Sequence, residues 1–144
     1  MSTTAETTPA AYVASATASG REGRAVSTDG KLDVNLAPPT ELGGSGQGTN
    51  PEQLFAAGYA ACFASALGVV ARRSGVKDFD ASVTADVSLH TTEAGGFSLS
   101  VVLEVELPDG FDEEQGRTLV ETAHQVCPYS NATRGNIPVE LSIA

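Results

Sequence analysis

Alternating apolar and polar positions predict β-strands in the second half of the chain. Residues 83–89 alternate in this way, and residues 97–105 do the same after the Gly-containing turn at residues 93–96. A period of two is typical of half-buried strands, so these segments predict a β-hairpin. The same alternation over residues 137–143 predicts a final strand.

The N-terminal part of the chain contains shorter β-prone segments separated by turn residues. These segments are Tyr12–Thr17, Ala25–Thr28 and Lys31–Leu36. Asp29-Gly30 lies between the last two and predicts a two-residue hairpin turn, since both residues tolerate positive φ. Residues 37–49 contain two prolines and four glycines and predict an irregular loop.

Two segments have the pattern of helices. Asn50 and Pro51 form a helix start, as N-cap and first helical residue, and predict a helix that runs to about Arg73. Its many Ala and Gly residues would let neighbouring backbones approach closely, which suits a central helix. Asp112 begins a second helix with one apolar face, and Pro128 ends it.

The order of these elements predicts an α+β fold in which antiparallel sheets pack around a long central helix. With 144 residues, the chain is close to the commonest domain size. We therefore predict a flexible N-terminal arm over residues 1–10, which have no periodicity, and a single domain over residues 11–144.

The charge balance bears on partners and location. Against 18 acidic residues there are 8 basic ones, a formal net charge of −10, which would repel phosphate backbones and anionic lipids. The apolar run at residues 56–70 is too short to span a bilayer, and the N-terminus lacks the features of a secretory signal. We expect a cytoplasmic protein that binds neither nucleic acid nor membrane.

The two cysteines, Cys62 and Cys127, have different surroundings. Cys62 lies within the first helix, where burial raises a thiol pKa, and no Lys or Arg occurs within nine residues on either side. It is an inert core cysteine unless a distant cation reaches it. Cys127 ends the second helix, where the dipole disfavours a thiolate. Cys62 therefore suits the attacking thiol and Cys127 the thiol that resolves it.

Two long segments that carry these cysteines resemble a known family. Gly48–Phe63 and Ala123–Asn136 resemble the signature blocks of the organic hydroperoxide resistance proteins, a branch of the OsmC/Ohr family. The resemblance extends through residues 17–23 and 29–36. Family members typically have Gly-Gly-Arg-Asp-Gly where this chain has residues 19–23, Ser-Gly-Arg-Glu-Gly, so the arginine is kept.

This resemblance implies an OsmC-like fold and a thiol peroxidase with no metal, haem or other cofactor, which prefers organic hydroperoxides and is recycled by dihydrolipoyl groups on partner proteins. The family's attacking and resolving cysteines map to Cys62 and Cys127, and its catalytic arginine and glutamate to Arg21 and Glu52. Arg21 would stabilise the thiolate, and Glu52 would hold the guanidinium. Without the resemblance, Arg21 suits a solvated turn charge and Glu52 a partner of the helix dipole.

Helix geometry adds a prediction about assembly. On one straight helix, Glu52 and Cys62 lie about 15 Å apart along the axis, too far for one arginine to touch both. We therefore predict an intertwined homodimer whose sites combine residues of both subunits, as the resemblance also suggests.

Phe55, Tyr59 and Phe63 are predicted to contribute to an apolar substrate pocket.

Other functions remain open from the residues. One is a peroxidase of the OsmC branch with a different peroxide preference, and another is a non-catalytic redox-sensing or ligand-binding module with a static disulfide. The Gly-rich residues 43–48 lack the lysine and the glycine spacing of phosphate-binding loops. His90 and His124 form no ligand-spaced cluster with the cysteines, which argues against a metal site.

Overall fold

Two three-stranded sheets, one in each of two structural units, organise the protein. The computed structural model describes residues 8–144, and its units are an N-terminal unit that ends at Asn50 and a C-terminal unit, Pro51–Ala144. Most of the predicted arm at residues 1–10 lies outside the described residues. A single domain over residues 11–144 stays a prediction.

The N-terminal unit contains an antiparallel sheet of β1 (Ala16–Ala18), β2 (Gly23–Ser27) and β3 (Asp33–Leu36). The predicted strand at residues 12–17 is wrong in extent, because β1 begins only at Ala16. The last backbone hydrogen bond beside the β1–β2 pair is donated by Thr28 N to Ser15 O (2.9 Å). Beyond that point β2 has entered its turn, so residues 12–14 have no strand to pair with.

The turn between β2 and β3 differs from the predicted two-residue form. The strands close at the hydrogen bond from Ser27 N to Leu32 O (2.8 Å), which leaves residues 28–31 in the loop. Gly30 has positive φ (76°), whereas Asp29 does not. The Asp29 carboxylate instead accepts hydrogen bonds from Ser27 Oγ (2.7 Å) and Lys31 N (3.0 Å). Asp29 therefore stabilises the loop through its side chain.

The C-terminal unit contains three helices and the second sheet. Its elements are α1 (Pro51–Arg73), β4 (Ser82–Thr91), β5 (Phe97–Glu106), α2 (Glu113–Val126), α3 (Pro128–Thr133) and β6 (Val139–Ile143). The predicted bounds of α1 and the predicted β4–β5 hairpin are confirmed. Asp112 caps α2, as predicted, by accepting a hydrogen bond from Gln115 N (2.9 Å).

The second sheet is mixed rather than antiparallel throughout. β4 pairs antiparallel with β5, but β6 pairs parallel with β5. The all-antiparallel expectation is wrong here because α2 and α3 form a helical crossover between β5 and β6. Such a connection returns the chain to the end of the sheet at which β5 began.

The core of the C-terminal unit lies between α1, the sheet and α2. Helix α1 contributes residues spaced three or four apart, which share one face. The main buried residues are Tyr59, Phe63, Leu67 and Val70 of α1, Val101, Leu103 and Val105 of β5, and Leu119, Val120 and Ala123 of α2. This face holds the middle of α1 in a fixed relation to the last turns of α2.

Helix α1 extends beyond the apolar run at residues 56–70, to the bounds predicted from the sequence. Its 23 residues are long and apolar enough to cross a bilayer by length and composition, and it is the one such helix in residues 8–144. Core helices pass the same test, and α1 does carry a core face. Only 33% of its most apolar 18-residue window is buried, so much of its remaining surface is also apolar.

Candidate active site

The two cysteines meet inside the C-terminal unit. Their sulfurs are 3.5 Å apart, and the Cys127 thiol donates toward the sulfur of Cys62. Both are free thiols, Cys127 fully buried and Cys62 partly exposed. The last turn of α2 therefore packs against the middle of α1, as a disulfide between the two cysteines would require.

Cys127 occupies a junction between two helices. It is the C-cap of α2 and also the N-cap of α3, with Pro128 in the first helical position. The sequence prediction treated Pro128 only as the end of α2 and missed α3. Because the negative end of α2 and the positive end of α3 meet at Cys127, the dipole of α2 alone does not determine its role as the second thiol.

The pKa of Cys62 has opposing influences. Burial, the largest influence, raises it above its ordinary value. A hydrogen bond donated by the backbone N–H of Tyr129 to the Cys62 sulfur acts in the opposite direction. The net direction is upward, so these contacts favour the neutral thiol, and a reactive thiolate requires an additional cation.

Arg21 and Glu52 lie on different units. Arg21 is exposed in the connection between β1 and β2, and Glu52 is half-buried in the first turn of α1. Glu52 and Cys62 do share one continuous helix, as the sequence argument assumed. The catalytic roles of Arg21 and Glu52 stay predictions.

An aromatic cluster lies beside Cys62. The ring of Tyr129 is 5.9 Å from that of Phe55 and 5.6 Å from that of Tyr59. Tyr129, which is 37% exposed, was not predicted from the sequence. It lies over Gly58, where a Cβ atom would be 2.7 Å from the Tyr129 hydroxyl.

The three predicted pocket residues differ in exposure. Tyr59 and Phe63 are fully buried, and Phe55 retains some exposed surface. Phe55 is therefore the one of the three that offers partly exposed aromatic surface near the cysteines. The pocket assignment of all three stays a prediction.

A second group of side chains links the three helices, and we call it the polar chain: His124, Ser130, Tyr59 and Thr133. His124 Nδ1 lies 2.7 Å from Ser130 Oγ, which lies 2.8 Å from the Tyr59 hydroxyl, and this lies 2.9 Å from Thr133 Oγ1. Sequence reasoning missed this group, because its members lie up to 74 residues apart and form no local pattern.

The surroundings of His124 disfavour protonation of its ring. Burial lowers its pKa below the usual histidine value, and the positive charge of Arg134 lowers it further. Arg134 also donates to the His124 backbone carbonyl oxygen (2.8 Å). Within residues 8–144, the structure contains no group of three or more His, Cys, Asp or Glu residues that could hold a metal ion.

Comparisons with known proteins agree with the resemblance seen in the sequence. The family model described as OsmC-like protein matches residues 44–142. An organic hydroperoxide resistance protein of Xanthomonas axonopodis pv. citri is 55% identical over 136 residues, which cover 92% of this chain and 94% of that protein.

Solved structures give the same result. An organic hydroperoxide resistance protein from Vibrio cholerae, with captopril bound in one of its active sites, is 51% identical with a TM-score of 0.89, covering 96% of this chain and 95% of that one. The organic hydroperoxide resistance protein OhrB of Bacillus subtilis is 45% identical with a TM-score of 0.85, covering 94% and 100%. The α+β fold predicted from the sequence is confirmed.

Proposed function

Because this chain belongs to the OsmC-like protein family and its relatives are named for organic hydroperoxide resistance, we propose that it is a thiol peroxidase that reduces organic hydroperoxides to alcohols. The observation that carries the proposal is the pair of free thiols, with sulfurs 3.5 Å apart. A partly exposed thiol beside a buried one suits a two-step oxidation that ends in a disulfide.

In the first step, the Cys62 thiolate attacks one peroxide oxygen. The O–O bond breaks, the peroxide is reduced to an alcohol that takes up a proton, and the sulfur is oxidised to a sulfenic acid. Arg21 supplies the cation that Cys62 lacks, and Glu52 holds the guanidinium. The backbone N–H of Tyr129 adds a neutral donor to the same sulfur.

In the second step, the Cys127 sulfur attacks the sulfenic sulfur of Cys62. The S–S bond forms and the hydroxyl leaves as water, which takes up the thiol proton. A dihydrolipoyl dithiol on a partner protein then reduces the disulfide by thiol exchange. No metal or organic cofactor takes part, and the reducing conditions of the cytoplasm keep both thiols ready for the next cycle.

Exposure supports the order of the two thiols. Cys62 retains accessible surface, whereas Cys127 is fully buried, so a peroxide reaches Cys62 first. The Cys127 thiol already donates toward Cys62. Access therefore replaces the helix dipole as the reason for assigning Cys127 to the second step.

The proposed assembly is a homodimer. Only a third of the residues in the most apolar part of α1 are fully buried in a single chain, and apolar surface that is left partly accessible favours a covering partner. A second copy of the chain would cover it and would bring an Arg21 or a Glu52 to each site in trans. Sedimentation at micromolar concentration tests this, and a fully active monomer contradicts it.

Mass spectrometry after treatment with one equivalent of cumene hydroperoxide tests the function. We expect a Cys62–Cys127 disulfide in the wild type, no oxidation at the site in Cys62→Ser, and a single oxidation without turnover in Cys127→Ser. Equal, full turnover in both variants would exclude the scheme. Higher catalytic efficiency with hydrogen peroxide than with cumene hydroperoxide would instead favour a peroxidase of different substrate preference.

A further inference from the structure

Three of the four members of the polar chain are buried, His124 is partly buried, and all four are hydrogen-bonded. Ser130 and Tyr59 have no exposed surface, and Thr133 is 4% exposed. No buried side-chain nitrogen or oxygen within residues 8–144 lacks a hydrogen-bond partner. A buried network of this kind is rigid when complete and costly when one member is removed.

The Tyr59 hydroxyl is the central member of the polar chain. Thr133 Oγ1 lies 2.9 Å from the Tyr59 hydroxyl and also within reach of the Ser130 carbonyl oxygen (3.3 Å). Each hydroxyl has one proton and can turn it toward either neighbour; Tyr59 therefore shares one hydrogen bond with Thr133 and one with Ser130, and Ser130 shares another with His124 Nδ1. Loss of the Thr133 hydroxyl thus leaves the Tyr59 hydroxyl with one hydroxyl partner, Ser130, in place of two.

The positions of its members relate the polar chain to the two thiols. Tyr59 precedes Cys62 by three residues on α1, His124 precedes Cys127 by three on α2, and Ser130 follows Cys127 by three on α3. Residues three apart are neighbours on one helix face. The polar chain therefore joins the same three helices as the thiol pair, one turn away from each sulfur.

We propose that the polar chain positions Cys127 for its attack on oxidised Cys62, and so decides between disulfide formation and further oxidation. The inference rests on the proposed peroxidase function. Sulfenic Cys62 has two fates: Cys127 attacks it and water leaves, or a second organic hydroperoxide oxidises it to a sulfinic acid and leaves as an alcohol. His124, Ser130, Tyr59 and Thr133 are positioning residues in this scheme, since they act through the cysteines.

The test compares two substitutions at Thr133. Thr133→Val keeps the shape and removes the hydroxyl, and Thr133→Ser keeps the hydroxyl. After mixing with excess cumene hydroperoxide, timed acid quenching and intact-mass measurement follow the loss of sulfenic acid and the gain of disulfide or sulfinic acid. We expect condensation to be about tenfold slower in Thr133→Val, equivalent to ~1.4 kcal/mol in the barrier. Its sulfinic fraction should rise, while Thr133→Ser behaves as the wild type.

A second pair of substitutions keeps the test valid if Thr133→Val fails to fold. Ser130→Ala removes the serine bonded to His124, and Ser100→Ala removes a partly exposed serine bonded to His90 on the sheet (2.8 Å). We expect slow condensation and excess sulfinic acid only in Ser130→Ala. The ratio of condensation to first oxidation is the readout, because a merely structural loss would not favour one step over the other.

Several outcomes overturn the inference. One is a wild-type ratio of disulfide to sulfinic acid in folded Thr133→Val or Ser130→Ala. Another is condensation that is slowed equally in Thr133→Ser, which would assign the effect to side-chain volume rather than to the hydroxyl. Failure of the wild type to form any Cys62–Cys127 disulfide would instead refute the proposed function.

Discussion

Oxidation of the thiol pair is expected to stabilise the protein substantially. The perturbation is closure of the bond between Cys62 and Cys127, whose sulfurs must approach from 3.5 Å to about 2.05 Å. The two residues are 65 positions apart, so the disulfide closes a long loop and restricts the unfolded chain. Little motion is needed in the folded state.

The size of the effect follows from the loop length. In the chain-entropy model, a loop of this length stabilises the folded state by about 4 kcal/mol at 25 °C. Strain from bringing the sulfurs together lowers this figure, so we expect about 2–4 kcal/mol. With an unfolding entropy of about 2.1 cal/mol/K per residue, the midpoint temperature of thermal unfolding of a 144-residue chain rises by roughly 7–13 °C.

The assay is calorimetry of the reduced protein and of protein treated with one equivalent of cumene hydroperoxide. Cys127→Ser, treated in the same way, is the control and should show no comparable rise. Mass spectrometry of each sample establishes whether the disulfide has formed. An unchanged or lower midpoint in a sample that is fully disulfide-bonded would refute the reasoning, since it would mean that strain cancels the entropic gain.

Three further predictions concern the surroundings of Cys62. Gly58→Ala should change the midpoint of thermal unfolding little, because a helix gain of about 1 kcal/mol offsets the lost contacts of Tyr129. The same substitution should slow the oxidation of Cys62 about two- to tenfold. Calorimetry checks the midpoint, and stopped-flow oxidation checks the rate. Arg21→Ala should raise the pKa of Cys62 and lower its oxidation rate at pH 7 about tenfold per pKa unit, with recovery in alkaline buffer. An unchanged pH–rate profile would exclude Arg21. Because the pKa of His124 is lowered in the fold, its contribution to stability is present above the usual histidine pKa and is lost as pH falls below it. Urea midpoints at pH 7.5 and 5.5 should therefore differ more in the wild type than in His124→Gln.

Elements with strong local signals could be predicted, and those defined by distant contacts could not. Helix α1 and the β4–β5 hairpin occur where their caps and periodicity place them. Helix α3 was missed because Pro128 suits both the end of one helix and the first turn of the next. The parallel pairing of β6 was missed because an alternating pattern does not specify a partner strand.

The sequence by itself determined which residues could do chemistry: two cysteines in long family-specific segments, with Cys62 in need of a cation. Only the tertiary structure decided that their sulfurs lie 3.5 Å apart, that Tyr129 donates to Cys62, and that a buried polar chain joins the same three helices. The physical reason is that residue type and helix register are local properties. Distances between thiols 65 positions apart depend on how helices pack around a shared core.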